Sequence, residues 1–145
     1  MSMITPLGYA GLLPFILLPL CSLLWPLMAP AQAMLLFQFY SCLILGFMAG
    51  VLWPVLYQSP EPASRALWAV SFPVLAILAL ALLPAYSVLI LAALFAGLRC
   101  YEIISGVNLR YTASYRSLRN QLTTVVVLCH LGFYVTYQLQ LYCVE

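Results

Sequence analysis

His130 is the single histidine of the chain, and it falls inside a long apolar stretch. Thr123 and Tyr137 stand at heptad distance before and after it, and Tyr134 follows one turn on. On a helix all four residues share one face. An ionisable group at mid-membrane depth is costly and turns toward the bundle interior or a cavity. Three chemistries suit such an imidazole: a haem or metal ligand, a proton relay, or a hydrogen bond to a quinone-like head group. The plainer alternative is a neutral imidazole satisfied by a tyrosine or a backbone carbonyl. Zinc generally takes three or four protein ligands, and only scattered cysteines could join one histidine. A single-histidine haem site has no further support in the sequence. The expectation is therefore no metal, no cofactor and no catalytic residue. The candidate lining of an intramembrane ligand cavity is His130, Tyr134, Tyr137, Thr123 and Trp53.

A second group stands at the start of the same stretch. Arg116 and Arg119 are one turn apart, with Tyr111 and Tyr115 one turn apart just before. Tyr115, Arg116 and Arg119 could hold an anionic lipid head group or an acidic partner. They could equally anchor the helix at the interface, where arginine and tyrosine belong, or cap neighbouring helix ends. Arg99 and Glu102 have the spacing of an ion pair on one helix face, expected at the interface. The five cysteines, Cys21, Cys42, Cys100, Cys129 and Cys143, show no paired spacing and read as small packing residues. The chain contains no GxSxG, HExxH, Walker or dinucleotide fingerprint. No two carboxylates share a span, so acid–base catalysis by a carboxylate pair has no material. Nor do two similar halves suggest a repeat-built transporter.

These residues are carried by a chain that water cannot solvate as a globule. Of its 145 residues, 66% are hydrophobic and 6% charged, whereas soluble domains carry roughly a quarter charged residues. Lysine and aspartate are absent, and the net charge is +2, too small for a nucleic-acid binder. The expected fold is all-α, an integral membrane bundle of five transmembrane helices forming one domain over residues 1–145. A span needs about 20 apolar residues, and the expected spans are about 5–28, 33–57, 66–83, 85–104 and 118–141. Pro6, Pro14, Pro19 and Pro26 should bend the first of these. In the second, Gln38, Cys42, Gly46, Gly50 and Pro54 form one ridge, and Gly46 and Gly50 should allow close helix packing. Pro84 separates the third and fourth spans into a tight hairpin, for which Ala92 with Ala96, and Ala93 with Gly97, offer small faces. Trp25, Trp53 and Trp68 lie toward span ends, at headgroup depth.

With five spans, all five arginines fall in or beside the segments that share a side with the N-terminus. Short basic loops remain cytoplasmic, which predicts the N-terminus inside and the C-terminus outside. The opening residues lack the basic region of a cleavable signal, and a bacterial inner membrane is the default location.

Several segments resemble one family. Gly8-Tyr9-Ala10-Gly11-Leu12-Leu13-Pro14-Phe15, residues 40–53 (YSCLILGFMAGVLW), Ser71-Phe72-Pro73 and residues 115–123 (YRSLRNQLT) are similar to successive segments of the domain-of-unknown-function 3429 family, whose eukaryotic members include transmembrane protein 69-like proteins. The resemblance runs over nearly the whole chain. It departs at Leu52, where the family pattern has a histidine before the tryptophan, so no imidazole chemistry carries over there. It implies a five-span membrane protein and no activity. The functional expectation is a non-catalytic accessory, assembly or scaffold protein in the bilayer, within a larger complex or a homo-oligomer and without nucleic acid. The alternative is a small-molecule or lipid-binding membrane protein, a carrier or sensor, with a cavity near His130. An intramembrane enzyme comes last.

Overall fold

A computed structural model describes residues 3–24, 27–53 and 63–143. Trp25, Pro26, Pro54, most of the polar loop with Glu61, and Glu145 lie outside the described residues. The described chain is helical apart from its turns: α1 Ile4–Ala10, α2 Leu13–Leu24, α3 Pro30–Gly50, α4 Ser64–Leu82, α5 Ser87–Ile104 and α6 Ala113–Tyr142, with a 3₁₀ turn at Val107–Arg110. Together α1 and α2 make the first of five stretches long and apolar enough to cross a membrane, Thr5–Leu24, the others being α3 to α6.

The first span breaks at one of its prolines, Pro14, whereas Pro19 stays inside α2. Pro14 has no N–H to give the carbonyl of Ala10, and the helix interrupts at Gly11 and Leu12. A freed carbonyl in hydrocarbon needs another donor. The neighbouring carbonyl at the break, that of Gly11, has one: the Tyr40 hydroxyl of α3 donates to it at 2.9 Å. Helix α3 begins earlier than the sequence pattern suggests, because Pro30 occupies the first helical turn, where a missing N–H costs nothing. Helix α6 likewise starts at Ala113, ahead of its apolar stretch. Thr112 caps it, accepting from the Tyr115 amide at 3.4 Å. At 30 residues, α6 is roughly 45 Å long, longer than the ~30 Å hydrocarbon slab. Its first turns therefore stand outside the apolar layer.

Helix α3 packs against α2, α4 and α5, and α6 lies mainly along α5 with α1 and α2 at its flank. A Cβ placed on Gly46 would meet the Pro73 Cβ of α4 at 3.7 Å, whereas one on Gly50 would meet nothing within 4 Å. Of the two glycines, Gly46 alone marks a close approach. Gly97 serves the α4–α5 hairpin as expected, facing the Phe72 ring at 3.7 Å. Ala93 instead points outward. The turn between α5 and the 3₁₀ segment requires Gly106, at φ +76°.

The core is aromatic at its centre: Phe15, Phe37, Phe95 and Phe133 are each no more than 2% exposed. The outer surface is apolar too, with Leu43 and Phe47 on α3 more than two-thirds exposed. A monomer in water does not present such a surface around every helix. Its solvent is lipid.

Candidate functional site

The structure builds two polar centres, one in the middle of the bundle and one at an end. The central one is His130. Its Nδ1 lies 2.7 Å from the carbonyl of Val126, one turn earlier on α6, and its Nε2 lies 2.9 Å from the Ser41 hydroxyl on α3. A carbonyl only accepts, so the proton sits on Nδ1. Nε2 is then free to accept from Ser41, whose hydroxyl is also 2.7 Å from the Phe37 carbonyl. A carbonyl has two lone pairs, so the single hydroxyl proton of Ser41 is shared between the Phe37 carbonyl and Nε2. Each ring nitrogen thus faces a hydrogen-bonding partner, at 2.7 and 2.9 Å. Phe37, Phe95 and Phe15 enclose the ring at centroid distances of 4.7, 5.5 and 5.6 Å. His130 is 0% exposed. The structure places it as a core histidine in contact with a serine and a backbone carbonyl, the carbonyl being one of the two partners expected of a neutral imidazole.

The other residues grouped with His130 by helical phase are spread along the membrane. Tyr134 and Tyr137 line a cleft of about 400 Å³ beside Gln38 and the α4–α5 turn. Thr123 lines a separate hollow between α5 and α6, beside Cys100. Trp53 is half-exposed beyond the end of α3, twelve residues past Ser41, roughly 18 Å away at 1.5 Å per residue. One helix face does not make one site.

The terminal centre gathers charge. Glu102 on α5 is 0% exposed and is the acid that two buried arginines share. Arg99 Nη1 donates to its Oε2 at 2.9 Å. Arg119 on α6 reaches the same oxygen through Nε at 3.1 Å and Oε1 through Nη2. Arg99 also donates from Nε to the Asn120 amide oxygen at 2.7 Å and from Nη2 to that of Asn108 at 2.6 Å. Arg119 touches the Met48 carbonyl near the end of α3 at 3.5 Å, and Arg65 donates to the Ser105 carbonyl at the end of α5 at 2.9 Å. The arginines thus cap helix ends and tie α3, α5, α6 and the 3₁₀ turn together. The Arg99–Glu102 pair is buried and belongs to a network, where the spacing alone suggested an interfacial pair. Arg119 is 3% exposed and internally bonded. Of the three residues read as lipid contacts, Arg116 is the one whose guanidinium bonds to no described residue.

Tyr111 packs edge-on against Tyr115 at 4.9 Å beside this network. Its hydroxyl is buried without a partner. Burial first, and the Glu102 carboxylate second, push the phenol up to about 12, against the opposing pull of Arg119 and Arg99. Among the described residues no cluster of His, Cys, Asp and Glu could hold a metal.

Sequence reasoning missed Ser41 and Gln38 as polar partners, and it missed Glu102 as the hub for Arg119. The signal was present. Gln38 and Ser41 are polar residues within an apolar helix, which must turn inward. Glu102 is an acid at a span end with several arginines to attract.

Helices of this length with an apolar exterior define a multi-pass membrane protein. The chain belongs to the protein of unknown function family DUF3429, which matches residues 1–135. No curated protein and no solved structure matched it.

Proposed function

We propose that this protein is a non-catalytic, membrane-embedded accessory or assembly protein. One observation carries the reading. The proton-active and charged side chains inside the bundle are consumed by internal bonds, His130 by Ser41 and Val126, and Glu102 by Arg99 and Arg119. A catalytic acid, base or nucleophile needs a free valence toward a substrate, and these groups offer none. The same bonds tie the helices together, which suits a bundle that holds position within a larger assembly.

The bundle's ends differ in charge. Arg65, Arg99, Arg110, Arg116 and Arg119 stand at the end holding the N-terminus of the first span, and by the basic-loop rule this end faces the cytoplasm. A bacterial inner membrane remains the setting that fits this reading.

The test is gentle extraction in a mild detergent followed by mass spectrometry of the intact assembly. A foreign membrane subunit at fixed stoichiometry supports the accessory role. A monomer or self-oligomer carrying lipid alone overturns it.

A further inference from the structure

Gln38 is a buried polar side chain whose hydrogen bonding its neighbours leave incomplete. It is 8% exposed, and its amide nitrogen donates to the Ser87 hydroxyl at 2.7 Å. Its amide oxygen bonds to no described residue. Gln38 lines the cleft of about 400 Å³ together with Tyr134, Tyr137 and Gln138 of α6. Neither tyrosine hydroxyl, nor the Gln138 amide, has a partner among the described residues. Hydrogen-bonding groups that converge on one cleft are a reason to look for an occupant.

A second chamber adjoins this one. Ala31, Tyr137 and Leu141 line both, and the second, of about 620 Å³, runs on past Leu23 and Leu139 along the end of α2. Its walls are nearly all hydrocarbon. Gln140, a polar exception, is turned to the backbone of Ser22 at 3.3 Å. Each chamber falls within the ~300–1,000 Å³ typical of small-molecule sites.

We propose that the two chambers form one binding site for a neutral amphiphile. Its carbonyl-bearing head lies against Gln38, Tyr134 and Tyr137, and its hydrocarbon tail lies along the second chamber. Neutrality follows from the walls: no charged side chain among the described residues lines either chamber. The described arginines and Glu102 stand at the opposite end, so an ionised head would be buried without a counter-charge. The head's chemistry follows from the groups that face it: two phenols and the remaining amide N–H of Gln38 can donate to a carbonyl, and the Gln38 amide oxygen can accept from a hydroxyl. A membrane quinone carries the carbonyl, and a diacylglycerol carries both the carbonyl and the hydroxyl. His130 is outside the site, lining neither chamber.

The test uses the full chain purified in detergent and three probes: a short-tailed benzoquinone, a short-chain diacylglycerol, and the same benzoquinone without a tail. Binding is read as saturable thermal stabilisation and as a bound mass on the intact protein. One tailed probe should saturate, and which of the two does so identifies the source. The tail-less ring should bind at least about tenfold more weakly, because each buried methylene adds to affinity. Tyr134→Phe with Tyr137→Phe keeps both rings and removes both hydroxyls. This variant should melt like the parent when free and bind about fivefold or more weakly, as expected for lost hydrogen bonds. Cys100→Ala, remote from both chambers, should bind as the parent does. The proposal is overturned if neither tailed probe saturates, if the double phenylalanine variant binds undiminished, or if a fatty-acid anion outcompetes both neutral probes. The accessory reading is judged separately, by what copurifies.

Discussion

The Ser41 hydroxyl stands 2.9 Å from His130 Nε2, and this contact joins α3 to α6 between two fully buried residues. With Nδ1 held by the Val126 carbonyl at 2.7 Å, the imidazole has one orientation and one tautomer available.

Ser41→Ala should therefore leave a buried acceptor unpaired and destabilise the bundle by about 1–3 kcal/mol. Adding His130→Leu should recover much of that loss, because removing both partners leaves nothing unsatisfied. Chemical denaturation of the four proteins of the double-mutant cycle in one detergent measures the coupling. Additive losses would show that the bond contributes nothing.

Glu102 compensates two buried arginines, Arg99 at 2.9 Å and Arg119 at 3.1 Å. Glu102→Gln should cost about 3–5 kcal/mol, because uncompensated buried charge remains. The expected readout is a large fall in melting temperature, or failure to accumulate in the membrane. A melting temperature equal to the parent's would mean that the network is solvated and unimportant to stability.

Gly46 and Gly50 are distinguished by what surrounds them. A Cβ on Gly46 would stand in ordinary contact, 3.7 Å, with the Pro73 Cβ, so a methyl group fits there. Gly46→Ala should be tolerated, whereas Gly46→Leu should wedge α3 from α4 at about 1–3 kcal/mol. Gly50→Leu, with open space around it, should cost less than Gly46→Leu. Melting curves of the three variants check the order.

The Tyr111 phenol, raised to about 12 from the ordinary 10.0, lies outside the spans and gives an alkaline signature. The folded state keeps this proton to higher pH than the unfolded chain does. Its contribution to stability is full below pH 10 and declines as pH rises through the folded value. Tyr111→Phe should flatten the fall in stability between about pH 10 and 12. An unchanged slope would place the phenol in water.

Cys143, exposed at the C-terminal end of α6, reports orientation. With the basic end cytoplasmic, a membrane-impermeant thiol reagent should label Cys143 from outside intact cells in a Cys100→Ala background. Labelling only after the membrane is opened would reverse the proposed topology.

Much of the architecture was legible before any coordinates. The apolar stretches, the hairpin at Pro84 and the bend expected from Pro14 all follow from local rules: hydrocarbon demands an internally bonded backbone, and proline removes a donor. Helix starts were less legible. At Pro30 and Thr112 the first turn is polar or proline-bearing, and capping chemistry there outweighs the hydropathy pattern.

The polar pairings were decided elsewhere. That His130 meets Ser41, that Arg119 meets Glu102, and that Tyr134 and Tyr137 share a cleft with Gln38 depend on how α3, α5 and α6 are rotated against one another. Helical phase sorts the residues of a single helix onto faces. It says nothing about which face of a neighbour lies opposite, and in lipid, where hydrophobicity does not distinguish one apolar face from another, packing detail makes that choice. The sequence by itself determined the solvent, the helices and the charged end. The tertiary structure alone determined which polar groups were satisfied and which were left facing a cleft.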